Sequence, residues 1–191
     1  MPRDTSRLDM SVDFQPVNIA VLTISDTRTP DDDRSGDLLA ERIAEDGHVL
    51  ASRMIVTDDV DRITARLQDW IEDPQIDVIV TTGGTGLTGR DSTPEAFDRT
   101  VEKAIPGFGE LFRQLSYEKI GTSTIQSRAV AGVAGGAYLF ALPGSPSGCR
   151  DGWDDILRYQ LDIRHRPCNF VEIMPRLTES ASRRRTSPVD A

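Results

Sequence analysis

The strongest constraint on the fold is a segment of almost unbroken apolar residues at positions 17–24. A strand with one solvated face alternates apolar and polar residues, whereas a strand buried on both faces is apolar nearly throughout. The same pattern returns at residues 77–82 and 137–142. These three segments therefore predict strands inside a parallel sheet whose two faces are both covered.

Helical patterns alternate with the strands. Apolar residues recur at intervals of three and four in residues 35–47, 61–72 and 147–163, and residues 48–56 predict a further strand. Ser35 is the expected N-cap of the first helix, and Thr93 that of a helix beginning at Pro94. This alternation predicts an α/β fold, a three-layer sandwich with a mostly parallel sheet covered by helices on both faces.

The length of 191 residues suits one domain with polar ends. We expect the α/β domain to span residues 15–172. Residues 1–14 are expected to form a disordered N-terminus, and residues 173–191, which include Arg183 to Arg185, a disordered C-terminal tail.

The composition limits which binding partners and which cellular compartment we expect for this protein. A net charge of -9 argues against nucleic acid as a main partner. No apolar stretch approaches the roughly 20 residues of a membrane span, so no membrane association is expected. Cys149 and Cys168 form neither a CxxC motif nor a zinc spacing. We therefore predict that both thiols are free in a reducing cytoplasm. We also expect no signal peptide in the polar N-terminus.

Three loops follow predicted strands, at residues 25–33, 83–93 and 143–148. In open α/β sheets, ligands bind outside the carboxyl ends of the strands. The topology alone therefore predicts that these loops form the functional site.

The second of these loops begins with Gly83-Gly84-Thr85-Gly86, directly after Thr82. Glycines let a backbone approach a ligand closely and present N–H groups to an anion. A tight strand-to-helix turn that needs positive φ angles explains the same residues. The sequence is neither G-x-G-x-x-G nor a Walker A loop, so phosphate binding and a structural turn both remain open.

Two aspartates are candidate catalytic groups. Asp91 lies beside the glycines, where a carboxylate would repel phosphate unless a cation such as Mg²⁺ lies between them. The alternative is that Asp91 or Thr93 only caps the following helix. Asp58 follows the second strand, in a loop that could equally be a solvated surface.

Several strings together resemble one family, the molybdopterin-binding domain of molybdenum cofactor biosynthesis proteins. They are LTISD at 22–26, DRSG at 33–36, TTGGTG at 81–86 with RDSTPE at 90–95, PGFGE at 106–110 and LPG at 142–144. The resemblance covers about residues 15–172. Residues 108–132 and 166–170 are most similar to the branch called molybdenum cofactor biosynthesis protein B, and the molybdopterin adenylyltransferase branch is the close alternative.

The resemblance implies a compact α/β domain in a homotrimer or homohexamer and possible contact with a molybdenum insertase. It implies an adenylyltransferase that uses molybdopterin, ATP and Mg²⁺, transfers AMP to the molybdopterin phosphate and releases pyrophosphate. Asp58 and Asp91 match the family's catalytic aspartates, and Asp91 is the expected Mg²⁺ ligand. The implied binding residues are Ser25, Asp26, Ser35, Gly36, Thr82, Gly83, Gly84, Thr85, Gly86, Thr93, Pro143, Gly144, Ser145 and Ser147.

One position departs from the family. Related enzymes often carry a lysine after the last proline of Pro-Gly-x-Pro, where this chain has Ser147, and Arg150 is a candidate substitute. The departure supports an alternative, a molybdopterin-binding protein of the same pathway without adenylyltransferase activity. A dinucleotide-binding oxidoreductase is disfavoured because its fingerprint and acidic ribose ligand are absent.

Overall fold

The structure, a computed structural model, describes residues 7–179. Six strands form one sheet: β1 Asn18–Ile24, β2 Val49–Val56, β3 Val78–Thr82, β4 Lys103–Ala104, β5 Val130–Ala134 and β6 Ala137–Leu142. The helices are α1 Arg34–Glu45, α2 Val60–Ile71, α3 Thr93–Thr100, α4 Pro106–Ile120, α5 Pro146–Gly152, α6 Arg158–Gln160 and α7 Phe170–Ile173. A π-helix, Trp153–Leu157, joins α5 to α6, and 3₁₀ turns lie at Gly121–Gln126 and Met174–Arg176.

The strands are ordered β2-β1-β3-β6-β5-β4. The first four are parallel, and β5 runs antiparallel to both β6 and β4. The carboxyl ends of β1, β3 and β6 therefore lie side by side at one edge. This arrangement confirms the predicted α/β fold with a mostly parallel sheet.

Strand β1 shows how both faces of the sheet are buried. Ile19 and Val21 pack into the apolar cluster beneath α1, α4 and the π-helix, while Ala20 and Leu22 pack into the second cluster, beneath α2 and α3. All four are fully buried. The unbroken apolar character of residues 17–24 follows because successive side chains point to opposite faces and neither face is solvated.

The N-cap of helix α1 is Asp33 rather than Ser35, so the helix begins two residues earlier than that cap predicts. The Asp33 carboxylate accepts hydrogen bonds from the Gly36 amide at 3.0 Å and from the Thr23 hydroxyl at 2.8 Å. It also pairs with Arg53 at 2.8 Å, so this buried charge is neutralised. A Cβ at position 36 would lie 2.1 Å from Asp33 Oδ2, which explains the glycine.

The structure differs from the sequence analysis in three further respects. Strands β4 and β5 were not predicted, because two residues give no pattern and Val130–Ala134 is built of small residues. The helix predicted at residues 147–163 is interrupted by the π-helix and ends at Gln160. The N-cap of α3 is Ser92, not Thr93. Helix α5 begins at Pro146, with Ser145 as its N-cap.

The terminal segments are partly described. Residues 1–6 and 180–191, including the Arg183 to Arg185 run, lie outside the described residues. Leu8 forms a β-bridge with His165, and Asp9 pairs with Arg166 at 3.1 Å, so residues 7–14 lie against the end of the domain. Leu177 packs against the core, although disorder was predicted from residue 173. Within residues 7–179, no helix is both long and apolar enough to cross a membrane.

Candidate functional site

The loops after β3 and β6 are tied to each other at the edge of the sheet. The Thr82 hydroxyl donates a hydrogen bond to the carbonyl of Pro143 at 2.9 Å, and the Gly83 amide donates to that of Leu142 at 3.1 Å. A Cβ on Gly144 would lie 3.1 Å from the Gly83 Cα. Two of the three loops predicted from topology therefore meet directly.

A cleft of about 550 Å³ opens between these loops and the end of α4. Eight of the predicted site residues line it: Gly84, Thr85, Gly86, Asp91, Pro143, Gly144, Ser145 and Ser147. The volume falls within the usual range for small-molecule sites, roughly 300–1,000 Å³. The structure thus brings together residues from two loops that are more than 50 positions apart.

The glycine loop has both a structural and a ligand-facing part. Gly83 has a φ of 103° and lies against the backbone of Ile24, where a Cβ would clash at 2.2 Å. Gly84 has a φ of 63° and faces the Thr93 hydroxyl. Among residues 7–179, no acceptor is found for the amides of Gly84 and Thr85. The turn is therefore required by the fold, and two of its N–H groups remain available to an anion.

Asp91 is held beside Gly86 in the wall of the cleft. Its Oδ2 accepts hydrogen bonds from the Thr88 amide at 2.8 Å and hydroxyl at 2.6 Å. Partial burial opposes ionisation, but these bonds, the Gly86 amide and the charge of Arg128 outweigh it and lower the pKa of Asp91 below 3.8. The group is therefore a carboxylate at neutral pH.

Asp58 lies beside the cleft, next to Gly84: a Cβ on that glycine would lie 2.9 Å from Asp58 Oδ2, although Asp58 is not among the described residues of the cleft lining. Its Oδ1 accepts hydrogen bonds from the amide and hydroxyl of Ser92 at 3.1 and 2.6 Å. Its amide donates to Asp26 at 3.1 Å, and Asp26 is held in turn by Arg90 at 3.0 Å. The Arg90 guanidinium lowers the pKa of Asp26. In this structure Asp58 connects the loops after β1, β2 and β3.

Two other predicted binding hydroxyls are also used inside the fold. Ser35 donates to the carbonyl of Gly144 at 2.9 Å, and Thr93 donates to that of Gly83 at 2.8 Å. Both side chains are buried. Together with Thr82, they fix the backbone of the cleft from below.

Ser25 and Asp26 line a separate cavity of about 570 Å³, beside the end of β2. Arg28 and Arg53 also line it. Its lining shares no residue with that of the cleft. The structure therefore divides the predicted binding residues between two concave surfaces and a set of buried supports.

Arg128 is a site residue that the sequence did not reveal. Its Nε donates to the carbonyl of Gly86 at 2.7 Å, its Nη2 to that of Asp91 at 2.8 Å, and its Nη1 pairs with Glu95. It therefore holds both ends of the segment from Gly86 to Asp91. A single arginine after a 3₁₀ turn gives no local signal for this role.

The end of α4 and the following turn supply further unpredicted lining residues. Lys119 lines the cleft, whereas Arg150, the predicted substitute for the missing lysine, is not among its described lining residues. Ser127 also lines it, and its buried Oγ has no hydrogen-bond partner within residues 7–179. An unpaired buried hydroxyl of this kind can be satisfied by a bound water or by a polar ligand.

A protein-only metal site is not present in the described part of the chain. Within residues 7–179, no group of three or more His, Cys, Asp or Glu side chains is arranged to hold a metal ion. A divalent cation at Asp91 would therefore need ligand oxygens and water to complete its coordination.

Comparison with known proteins identifies the family. The model of the family described as "Probable molybdopterin binding domain" matches residues 20–163. The chain belongs to this family. The matched range includes the glycine loop and the loop after β6, and the match confirms the resemblance drawn from the sequence motifs.

Relatives within this family are similar over most of their length. Molybdenum cofactor biosynthesis protein B of Escherichia coli strain K12 is 47% identical over 161 residues, which cover 84% of this chain and 95% of that protein. The protein of the same name from Staphylococcus carnosus is 44% identical over 149 residues, covering 76% and 87%.

Solved structures of the family share the fold. A crystal structure of molybdenum cofactor biosynthesis protein B gives a TM-score of 0.78 at 38% identity, covering 86% of this chain and 98% of that one. The tungsten cofactor synthesizing protein MoaB from Pyrococcus furiosus gives a TM-score of 0.67 at 36% identity, covering 75% and 91%. The solved structures therefore agree with the family assignment, and the chain belongs to the molybdenum cofactor biosynthesis family.

Proposed function

We propose that this protein binds molybdopterin and ATP and transfers AMP to the molybdopterin phosphate. In this reaction a phosphate oxygen of molybdopterin attacks the α-phosphorus of ATP. The new P–O bond forms as the bond to the β-phosphate oxygen breaks, and pyrophosphate leaves. Such a step requires positioning of two anionic groups and neutralisation of their charge.

The observation that carries this proposal is the cleft itself. It combines the unpaired amides of Gly84 and Thr85, the ionised Asp91 and the unpaired hydroxyl of Ser127. Amide and hydroxyl donors can bind phosphate oxygens without adding charge. A carboxylate beside them is repulsive to phosphate unless a cation is shared between the two.

Asp91 fits the role of a Mg²⁺ ligand because it offers ionised oxygen, the donor that Mg²⁺ prefers. When bound, Mg²⁺ would neutralise charge on the phosphate oxygens. Thr88 and Arg128 position the carboxylate at the cleft wall, and the hydrogen bonds of Thr88 keep it ionised.

Turnover of the full chain with molybdopterin, ATP and Mg²⁺ tests the proposal, with adenylylated molybdopterin and pyrophosphate as the measured products. We expect Asp91→Asn to reduce turnover by roughly a hundredfold, as is typical when one preorganised group is lost. Asp98→Asn is the matched control, because Asp98 is exposed on α3 and does not line the cleft.

A second candidate function is molybdopterin binding without adenylyl transfer. Asp58 favours it, because the Oδ1 of this second predicted catalytic carboxylate already accepts two hydrogen bonds from Ser92 and supports the loop beside Gly84. Ser147 in place of a lysine points the same way. In the turnover experiment, tight binding of molybdopterin by a protein that forms no adenylylated product would establish this function instead.

The remaining proposals concern assembly and partners. We propose a homotrimer or homohexamer that acts in the cytoplasm and contacts a molybdenum insertase. Sedimentation equilibrium distinguishes the two assemblies from a monomer of 21.1 kDa by mass. A mass near that of the monomer at all concentrations would contradict both.

A further inference from the structure

The charge of the cleft is poorly matched to the ligands that it is proposed to bind. Asp91 and Asp151 both line it, whereas Lys119 is the single Lys or Arg among the described residues of its lining. ATP and a pterin phosphate are multiply negative. In a cleft with two carboxylates, a fixed cation would favour the approach of such ligands, in addition to any Mg²⁺ that enters with the nucleotide.

Lys119 is anchored by two carboxylates. Its Nζ lies 2.7 Å from Asp151 Oδ1 and 2.7 Å from Asp155 Oδ2. Partial desolvation opposes the charged form of Lys119, but these two bonds outweigh it and raise the pKa of the lysine. An ammonium group has three N–H donors. Two are taken by the anchors, which leaves the third for a ligand.

The two carboxylates that bind Lys119 come from consecutive turns at the start of the π-helix. Asp151 lies in α5, and Asp155 follows one turn later in the π-helix Trp153–Leu157. Both side chains meet the last turn of α4, where Lys119 stands. Asp151 and Asp155 thus hold the flexible side chain of Lys119 at the cleft. This reduces the conformational entropy that the lysine side chain would lose on binding a ligand.

We propose that Lys119 is a phosphate-binding residue of this cleft and supplies the positive charge that Ser147 lacks. The inference rests on the proposed function, because it assumes that a phosphorylated ligand occupies the cleft. Asp151 and Asp155 are positioning residues that act through Lys119. Ser147 lines the same cleft, so a cation placed there can act on the same ligand.

Calorimetric titration of the full chain tests this inference, with inorganic tripolyphosphate, ATP with Mg²⁺, and adenosine as probes. We expect Lys119→Ala to raise the Kd of tripolyphosphate and of ATP about tenfold, which is about 1.4 kcal/mol, and to leave that of adenosine unchanged. The difference should shrink at about 0.5 M salt, because charge interactions are screened there.

Three further variants sharpen the test. Lys103→Ala is the matched control, because Lys103 is the other lysine of the chain and lies on β4, away from the cleft. Adding Ser147→Lys to Lys119→Ala should restore much of the affinity for tripolyphosphate. Adding Asp151→Asn to Lys119→Ala separates two causes of weaker binding. One is the lost attraction between Lys119 and the phosphate, and the other is repulsion of the phosphate by Asp151 once its lysine partner is removed.

The outcomes separate this inference from the proposed function. If the native protein binds ATP and Lys119→Ala binds tripolyphosphate equally well, Lys119 has no role in binding and only this inference fails. It also fails if Lys119→Ala with Asp151→Asn regains native affinity. If the native protein binds neither ATP nor tripolyphosphate, the nucleotide part of the proposed function fails as well.

Discussion

The hydroxyl of Thr82 lies 2.9 Å from the carbonyl oxygen of Pro143 and 3.0 Å from the sulfur of Cys149. The last residue of β3 thereby fixes the loop that follows β6. Because Thr82 is fully buried, its hydroxyl has a structural function beneath the cleft and is closed to a ligand.

We expect Thr82→Val to lower the free energy of unfolding by about 1 kcal/mol, since the Pro143 carbonyl loses a buried partner. Urea denaturation measures this loss. Thr100→Val is the control, because the Thr100 hydroxyl only bonds back to Ala96 one turn earlier in α3. Equal losses of unfolding free energy in the two variants would show that the bond to Pro143 contributes no more to stability than the local bond of Thr100.

Arg128→Ala is expected to lower the free energy of unfolding by about 2 kcal/mol, because the carbonyls of Gly86 and Asp91 lose a charged donor. The affinity for ATP should fall with it, as the glycine loop loses its support. Arg99→Ala removes an exposed pair with Asp61 and should change stability by less than about 0.5 kcal/mol. An Arg128 variant as stable as the Arg99 variant would contradict this role.

Gly84→Ala should destabilise the protein by about 2 kcal/mol or more. The residue has a φ of 63°, and an added Cβ would lie 2.3 Å from the Thr93 hydroxyl. Gly107→Ala serves as the comparison, because that glycine lies in the first turn of α4 and nothing lies within 4 Å of the added atom. Thermal denaturation compares the two, and a Gly84 variant with the native Tm would show that the loop does not require this conformation.

The two cysteines should differ in reactivity. Burial raises the pKa of the Cys149 thiol to about 11, whereas Cys168 is exposed. Since the thiolate is the nucleophile, iodoacetamide at neutral pH should modify Cys168 and spare Cys149. Mass spectrometry of peptides locates the label, with urea-unfolded protein as the control in which both react. Rapid modification of Cys149 in the folded protein would contradict its burial.

Asp91 gives a prediction for pH. Its pKa in the folded protein lies below the ordinary value of 3.8, so its carboxylate stabilises the fold above that pH. The contribution is lost as the pH falls through the lowered pKa. The difference in unfolding free energy between native protein and Asp91→Asn should therefore stay constant from about pH 7 to about pH 5 and narrow as the pH falls further. A difference that does not change with pH would show that the contribution of Asp91 to stability does not depend on its ionisation.

The fold could be predicted where both sides of a strand are buried. Residues 137–142 match β6 as observed, and residues 17–24 differ from β1 by one residue. Such segments need no knowledge of their neighbours, because the apolar run itself specifies burial on both faces. The two residues of β4 and the π-helix had no such signal, since their conformation depends on tertiary contacts.

The site could be predicted only where it lies on loops after strands. The glycine loop and Asp91 follow β3 in sequence, so the rule for parallel sheets placed them correctly at its carboxyl end. Lys119 and Arg128 reach the same place from α4 and from the residues before β5. Only the folded chain brings them there, and a lone basic residue carries no pattern that would reveal it.

The most direct test of the account is a crystal structure of the full chain with a non-hydrolysable ATP analogue and Mg²⁺. The account predicts triphosphate density in the cleft, against the amides of Gly84 and Thr85, with Lys119 and Asp91 beside it. Triphosphate density in the separate cavity lined by Ser25 and Asp26, with the cleft vacant, would contradict it.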